Sequence, residues 1–227
     1  MNDPQAIFQD SIKNISGKNE SVLASGEYTL SKCDTRDPMA KKMEQEIGEV
    51  IAWGKKLVSE AAGNPERVIK NMDLAWQEYR KAVEDFHRAF LISQVVVHNK
   101  VVDRGTEILA RIISGDVTYT GVINYCALGT ATTAGAAGDT QLVTETYRKA
   151  KSSGTFASNQ AYISTFFTAT EVTGTFGEVG HFVDGTGSAN SGRLFSRIGD
   201  PDTTELPVTK TNTETLTIDY KATFAAA

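Results

Sequence analysis

Residues 69–90 read IKNMDLAWQEYRKAVEDFHRAF, and they carry the clearest periodic pattern in the chain. Large apolar side chains recur there at alternating steps of three and four residues, which is the heptad pattern of a helix that buries one face. These seam residues are Ile69, Met72, Trp76, Tyr79, Val83, Phe86 and Phe90. Charged residues flank the seam, so we predict an amphipathic helix whose apolar face packs against a partner.

A second helix is predicted directly before this one. Asp37-Pro38 has the form of an N-cap followed by proline at the first helical position. Gly63-Asn64-Pro65 has the form of a helix stop followed by a restart. Two helices joined by so short a turn are expected to pack antiparallel, as a hairpin within residues 38–92.

The partner of the aromatic seam has two interpretations. The hairpin buries its seam within one chain, or helices from several copies bundle into a coiled-coil stalk. Two helices alone bury little apolar area, and Trp76, Tyr79, Phe86 and Phe90 are large for the seam of one isolated hairpin. We therefore favour the stalk, which implies a homo-oligomer, with a trimer as the favoured state.

The composition changes sharply near residue 93. Residues 1–92 contain 2 Thr and 5 Gly, whereas residues 93–227 contain 24 Thr and 14 Gly. Thr favours strands and Gly favours turns. Short strands are predicted at 119–128, 145–151, 161–169, 175–184, 192–198 and 214–224, with one helix between Asn99 and Gly115.

These patterns together predict an α+β chain in three parts. Residues 1–37 lack sustained periodicity and are interpreted as an N-terminal arm, either ordered against another surface or partly disordered. Residues 38–92 are predicted to form the helical hairpin and coiled-coil stalk. Residues 93–227 are predicted to form a Thr/Gly-rich antiparallel β-sandwich domain with one packed helix.

An ordered set of short motifs runs through residues 95–225. The motifs are Leu128-Gly-Thr-Ala-Thr-Thr-Ala134, Asp139-Thr-Gln-Leu142, Glu145 with Arg148-Lys149, Gly174-Thr-Phe-Gly-Glu178, Gly180-His-Phe182, Gly192-Arg-Leu194 with Arg197, and Lys210 with Leu216-Thr-Ile218, Tyr220 and Phe224. In this order the sequence resembles the small β domains of bacteriophage tail-fibre and baseplate-associated proteins. It departs from their pattern at Ala131, where Gly is usual, and at Gly135, near the usual Pro.

The resemblance implies a non-enzymatic structural subunit of the virion, made in the cytoplasm of the bacterial host. A tail fibre, a fibre adaptor or a baseplate subunit would self-associate and dock onto other virion proteins, and its exposed loops could contact the host surface. Two alternatives stay open, a head or neck decoration protein and a carbohydrate-binding module for host-surface recognition. The loops at 129–139 and 185–191 contain no aromatic residue, which argues against sugar binding by those loops.

The bulk chemistry excludes several classes of protein. A formal net charge of −5 argues against nucleic acid as a partner. No apolar run approaches the length of a membrane span, and the N-terminus lacks the form of a signal peptide. The two cysteines, Cys33 and Cys126, lie far apart, which fits folding in a reducing cytosol.

No constellation of residues predicts catalysis, a metal or a cofactor. The loop at 129–138 is rich in small residues but lacks the Lys-Ser/Thr ending of a phosphate-binding P-loop. His87, His98 and His181 have no metal-ligand spacing. We therefore predict no catalytic residue, no metal and no cofactor.

Glu178 is the acidic residue with the most unusual surroundings, since it lies within the apolar strand predicted at 175–184. A buried glutamate needs a cationic or hydrogen-bonding partner, and Arg148 and Arg197 are the candidates. The rival interpretation is a hydrolase that uses Glu178 with a second acid across a cleft. We favour a buried ion pair that joins strands.

Overall fold

The computed structural model describes residues 22–200 and 206–226. This part of the chain forms three helices, α1 (Pro38–Ser59), α2 (Pro65–Phe90) and α3 (Asp103–Ile113). It also forms eleven strands, β1 (Val22–Asp34), β2 (Leu91–Lys100), β3 (Ile123–Gly129), β4 (Glu145–Ala150), β5 (Ser153–Ala157), β6 (Gln160–Phe167), β7 (Gly174–Phe176), β8 (Glu178–Val183), β9 (Arg193–Gly199), β10 (Val208–Lys210) and β11 (Glu214–Ala226).

The strands form three antiparallel sheets. The largest has five strands in the order β2-β1-β11-β6-β5, and the second has four in the order β4-β3-β8-β9. A short third sheet pairs β10 with β7. The centre of the five-stranded sheet is the pair β1 and β11, whose register runs from Val22 opposite Ala226 to Asp34 opposite Glu214.

The main hydrophobic core lies between the two larger sheets. Along β1 and β11 every second side chain faces the four-stranded sheet. This alternation is expected because successive side chains of a strand point to opposite faces of its sheet. The members of this core include Tyr28, Leu30, Leu128, Phe167, Val179, Phe195, Ile198, Ile218 and Tyr220. Helix α3 packs beside β9, with Ile108 buried in the same core.

The helical hairpin covers the opposite face of the five-stranded sheet. A second core contains Tyr79, Val83 and Phe86 of α2, together with Ile47 of α1 and Phe166 of β6. The Tyr79 hydroxyl lies 2.7 Å from the Ser164 hydroxyl of β6. The described residues therefore form three layers, the hairpin, the five-stranded sheet and the four-stranded sheet.

Both helix starts follow the sequence signals. The Asp37 side chain accepts a hydrogen bond of 2.7 Å from the Met39 amide, and Pro38 is the first residue of α1. The Asn64 side chain accepts one of 3.1 Å from the Arg67 amide, and Pro65 begins α2. Each cap satisfies an amide that the helix leaves without a partner.

The predicted fold class is wrong, because the hairpin is not a stalk. The inward positions Tyr79, Val83 and Phe86 are at most 1% exposed within a single chain. The partner that we assigned to other copies is the outer face of the five-stranded sheet, which supplies Cys33 and Phe166 to the second core. The structure shows a β-rich α+β fold instead.

The five-stranded sheet contains residues from all three parts into which the sequence was divided at residues 37 and 92. Residues 22–34, which we assigned to the arm, form β1 in the middle of the five-stranded sheet. Strand β2 follows α2 directly and pairs with β1. The hairpin is therefore an insertion between two neighbouring strands of one sheet. The rest of the predicted arm, residues 1–21, lies outside the described residues.

Candidate functional site

The loop at 130–144 joins β3 to β4 and carries two of the sequence motifs. Glu178, the first residue of β8, is fully buried beneath it. Its carboxylate accepts hydrogen bonds from the backbone amides of Thr144, at 2.7 Å, and Val143, at 3.0 Å. This side chain therefore fixes the end of the loop to the sheet.

Arg197 of β9 holds the other half of the loop. Its Nε donates to Glu178 at 2.9 Å, and both side chains are at most 1% exposed. Its terminal nitrogens donate to the Thr133 carbonyl (3.0 Å), the Thr133 hydroxyl (3.1 Å), the Ala134 carbonyl (2.9 Å) and the Asp139 carboxylate (2.7 Å). A guanidinium has five N–H donors, so these bonds use its full capacity.

Three glycines allow the loop to lie this close to the strands. A Cβ on Gly199 would lie 2.0 Å from the Thr133 carbonyl oxygen, and one on Gly177 would lie 2.4 Å from the Ala131 carbonyl oxygen. A Cβ on Gly129 would lie 2.3 Å from Glu178 Oε1. Such distances are far below van der Waals contact, so the loop can lie this close to the strands only because these three residues are glycines, which have no Cβ.

Arg148 is not a partner of Glu178. Its Nε donates to Glu145 at 2.5 Å, and both side chains are at most 3% exposed. The guanidinium lies over the Phe182 ring, 4.4 Å from its centroid, and donates to the Ser191 carbonyl at 2.9 Å. A second buried arginine pair thus holds a second loop, at 184–192.

Of the three residues predicted to form a buried ion pair, the structure brings two together. Glu178 and Arg197 form a buried ion pair, whereas Arg148 belongs to a separate pair. The sequence analysis did not single out Glu145 or Asp139 as partners. A usable signal existed, because Glu145 stands three residues before Arg148 in the same motif.

The seam residues divide by exposure along α2. Tyr79, Val83 and Phe86 are buried, and Met72, Trp76 and Phe90 are partly buried. Ile69, in the first turns of the helix, is 49% exposed. The predicted oligomerisation seam is therefore largely an intrachain contact surface.

A polar cluster in the main core has the residue types of a catalytic site. The Tyr28 hydroxyl lies 2.6 Å from the Ser196 hydroxyl and 3.2 Å from Nδ1 of His181. Burial lowers the pKa of His181 to about 3, with a smaller contribution from Lys151, so the ring is neutral. The His181 ring also stacks on Tyr220. All four side chains are at most 1% exposed, so no substrate can reach them.

A groove lies on the outer face of the five-stranded sheet, beside α2, with a volume of about 690 Å³. We call it the sheet groove. Its aromatic side chains are Trp76, Phe156 and Tyr162, and its charged ones are Glu27, Asp73, Arg80, Asp219 and Lys221. The Trp76 and Tyr162 ring centroids are 6.2 Å apart. The groove thus combines aromatic rings with acidic side chains.

Neither a metal site nor a membrane-spanning helix is found in the described part of the chain. Within residues 22–200 and 206–226, no group of three or more His, Cys, Asp or Glu side chains is placed to hold a metal ion. No helix in the same part of the chain is long and apolar enough to cross a membrane. Comparison with protein-family models, with curated proteins and with solved structures finds no match.

Proposed function

We propose that the chain is a non-enzymatic structural subunit of a bacteriophage particle, of the tail-fibre, fibre-adaptor or baseplate class. One observation carries the proposal. Four of the motif residues that resemble the phage β domains, Glu145, Arg148, Glu178 and Arg197, hold the loops at 130–144 and 184–192 to the four-stranded sheet. Their shared role in this chain is to fix loop shape.

The geometry of Glu178 supports this role over catalysis. A catalytic carboxylate must reach a substrate and exchange a proton with it. Glu178 is fully buried, and two amides and Arg197 already bind its oxygens. A buried pair with every hydrogen-bonding group satisfied rigidifies the surrounding structure. Loops held in this way are suited to docking onto other virion proteins.

The layered fold changes the expected mode of assembly. Because the middle of the α2 seam is occupied by the chain's own sheet, that seam is not the surface that would join copies. We propose that the symmetry of the assembled subunit comes from its docking site on the particle. A fibre adaptor or a baseplate subunit fits this better than a self-assembling fibre shaft.

Particle fractionation tests the proposal. A tagged chain is expressed from its own gene during phage growth, and the lysate is separated on a density gradient. We expect the tag to sediment with infectious particles, and we expect Arg197→Met to reduce its incorporation while the exposed-site control Arg88→Met does not. A tag that stays in the soluble fraction at every stage of infection contradicts the proposal.

The sheet groove favours a second candidate function, a carbohydrate-binding module for the host surface. Aromatic rings beside carboxylates and a guanidinium provide the apolar and hydrogen-bonding contacts that a sugar ring needs. A glycan array probed with the intact chain tests it. Binding that Trp76→Ala abolishes, and that Trp53→Ala in a separate groove between α1 and α2 leaves intact, would support this function. An array with no signal would reject it.

A further inference from the structure

A second cleft lies between the helical hairpin and the point where the chain passes from β4 to β5. Its volume is about 490 Å³, which falls within the range of about 300–1,000 Å³ found for small-molecule sites. Its walls are almost entirely apolar, with Val50, Ile51, Val58, Met72, Tyr125 and Ala150 among them. An apolar ligand would remove this surface from water, which is favourable.

Two lysines line the same cleft, Lys55 of α1 and Lys151 between β4 and β5. In the part of the chain that the structure describes, neither side chain forms an ion pair or a hydrogen bond. No aspartate or glutamate belongs to the described lining of the cleft. The apolar walls therefore stand beside positive charge that has no counter-ion.

The two lysines differ in exposure, since Lys151 is partly buried and Lys55 is exposed. Burial lowers the pKa of Lys151. Burial also lowers that of Lys55, helped by nearby Lys149 and partly opposed by Glu171. Glu171 itself is engaged by Lys149. An anion bound at Lys151 would supply a counter-charge to this partly buried ammonium group.

We infer that this cleft binds a single-chain anionic amphiphile, a carboxylate that carries an unbranched alkyl tail. The tail lies between the hairpin and the strands, and the carboxylate lies at Lys151. An alkyl tail suits these walls better than a peptide, because each peptide unit brings an N–H and a C=O that need partners. This inference does not depend on the proposed virion function.

Calorimetric titration of the intact protein tests the inference, with each ligand below its critical micelle concentration. Decanoate is expected to bind saturably with one site per chain. Octanoate is expected to bind on the order of tenfold more weakly, because it buries two fewer methylenes. Decylammonium has the same tail and the opposite charge, and its affinity is expected to be at least tenfold below that of decanoate.

Matched variants separate the site from general adsorption. Lys151→Met should weaken decanoate at least tenfold, while Lys56→Met, one residue from Lys55 but outside the cleft, should leave its affinity unchanged. Val58→Phe should block binding by filling the cleft, and an unchanged unfolding midpoint will show that each variant is folded. Absence of decanoate binding to the wild type overturns the inference.

Two further outcomes also overturn it. Equal affinity for decanoate and decylammonium, insensitive to Lys151→Met, would show adsorption to apolar surface only. A cross-link from Lys151 to another virion protein in purified particles, together with no decanoate binding, would assign the cleft to a protein partner.

Discussion

Replacement of Arg197 by methionine tests the buried network most severely. Methionine approximates the length of the arginine stem but donates no hydrogen bond. The change leaves Glu178 charged and buried with only two amide donors, and it removes the donors to Thr133, Ala134 and Asp139. Removal of one partner of a buried ion pair costs about 3–5 kcal/mol, a large part of a total stability of about 5–15 kcal/mol.

Urea unfolding followed by circular dichroism measures this loss. We expect a lower midpoint with a similar slope for Arg197→Met, and no measurable change for Arg88→Met, whose side chain is 77% exposed. The double variant Arg197→Met with Glu178→Leu should lose less than the sum of the single losses, because the fully buried carboxylate is then absent and only the partly exposed Asp139 has lost its partner. A loss below about 1 kcal/mol for Arg197→Met would refute the reasoning, since it would show that the network is weakly formed.

Three further predictions follow from the packing. Phe86→Ala should lower the free energy of unfolding by about 3–5 kcal/mol without changing the solution mass of the protein. The control Ile69→Ala, at a half-exposed position, should have little effect on stability. A change in solution mass measured by light scattering would contradict the intrachain packing of the seam. Burial lowers the pKa of His181 to about 3, so as the pH falls the unfolded chain binds a proton at His181 before the folded chain does. The free energy of unfolding should therefore decrease by about 2 kcal/mol as the pH is lowered from about 8 to about 5. His181→Phe should lose that part of the pH dependence, and an unaltered slope would show that the ring is not responsible. Gly199→Ala should cost about 1–3 kcal/mol by forcing the loop at 130–144 away, while Gly138→Ala, with open space around it, should be neutral; equal midpoints in denaturant would disprove the close approach.

The helices were predictable because their signals are local. The caps at Asp37 and Asn64 and the 3-4 spacing of the α2 seam depend on residues within a few turns of each other. The surface against which the helix packs is formed by residues far from it in the sequence. The same apolar face fits another copy of the helix or a sheet in the same chain, and the seam contains nothing that separates them. The prediction of a stalk failed at that step.

The participation of β1 was missed for a similar reason. Residues 22–34 contain Gly26 and several polar residues, so their alternation is weak. Their place in the sheet is set by pairing with β11, about two hundred residues further along the chain. Sequence periodicity carries no information on such long-range pairing.

The candidate site was predictable only in part. A glutamate within an apolar strand required a partner, and Arg197 supplies it. The choice between Arg148 of β4 and Arg197 of β9 depended on which of these two strands pairs with β8, and that strand is β9. The sheet groove was not predictable from loop composition, because its aromatic residues come from a helix and from strands β5 and β6.

Quantitative mass spectrometry of purified particles, with isotope-labelled standard peptides, tests the central claim most directly. If the chain is a structural subunit, its copy number per particle should be fixed between preparations, should match a symmetry of the tail or baseplate, and should survive a high-salt wash. A copy number that varies between preparations, or that falls below one per particle, would contradict the assignment to the virion.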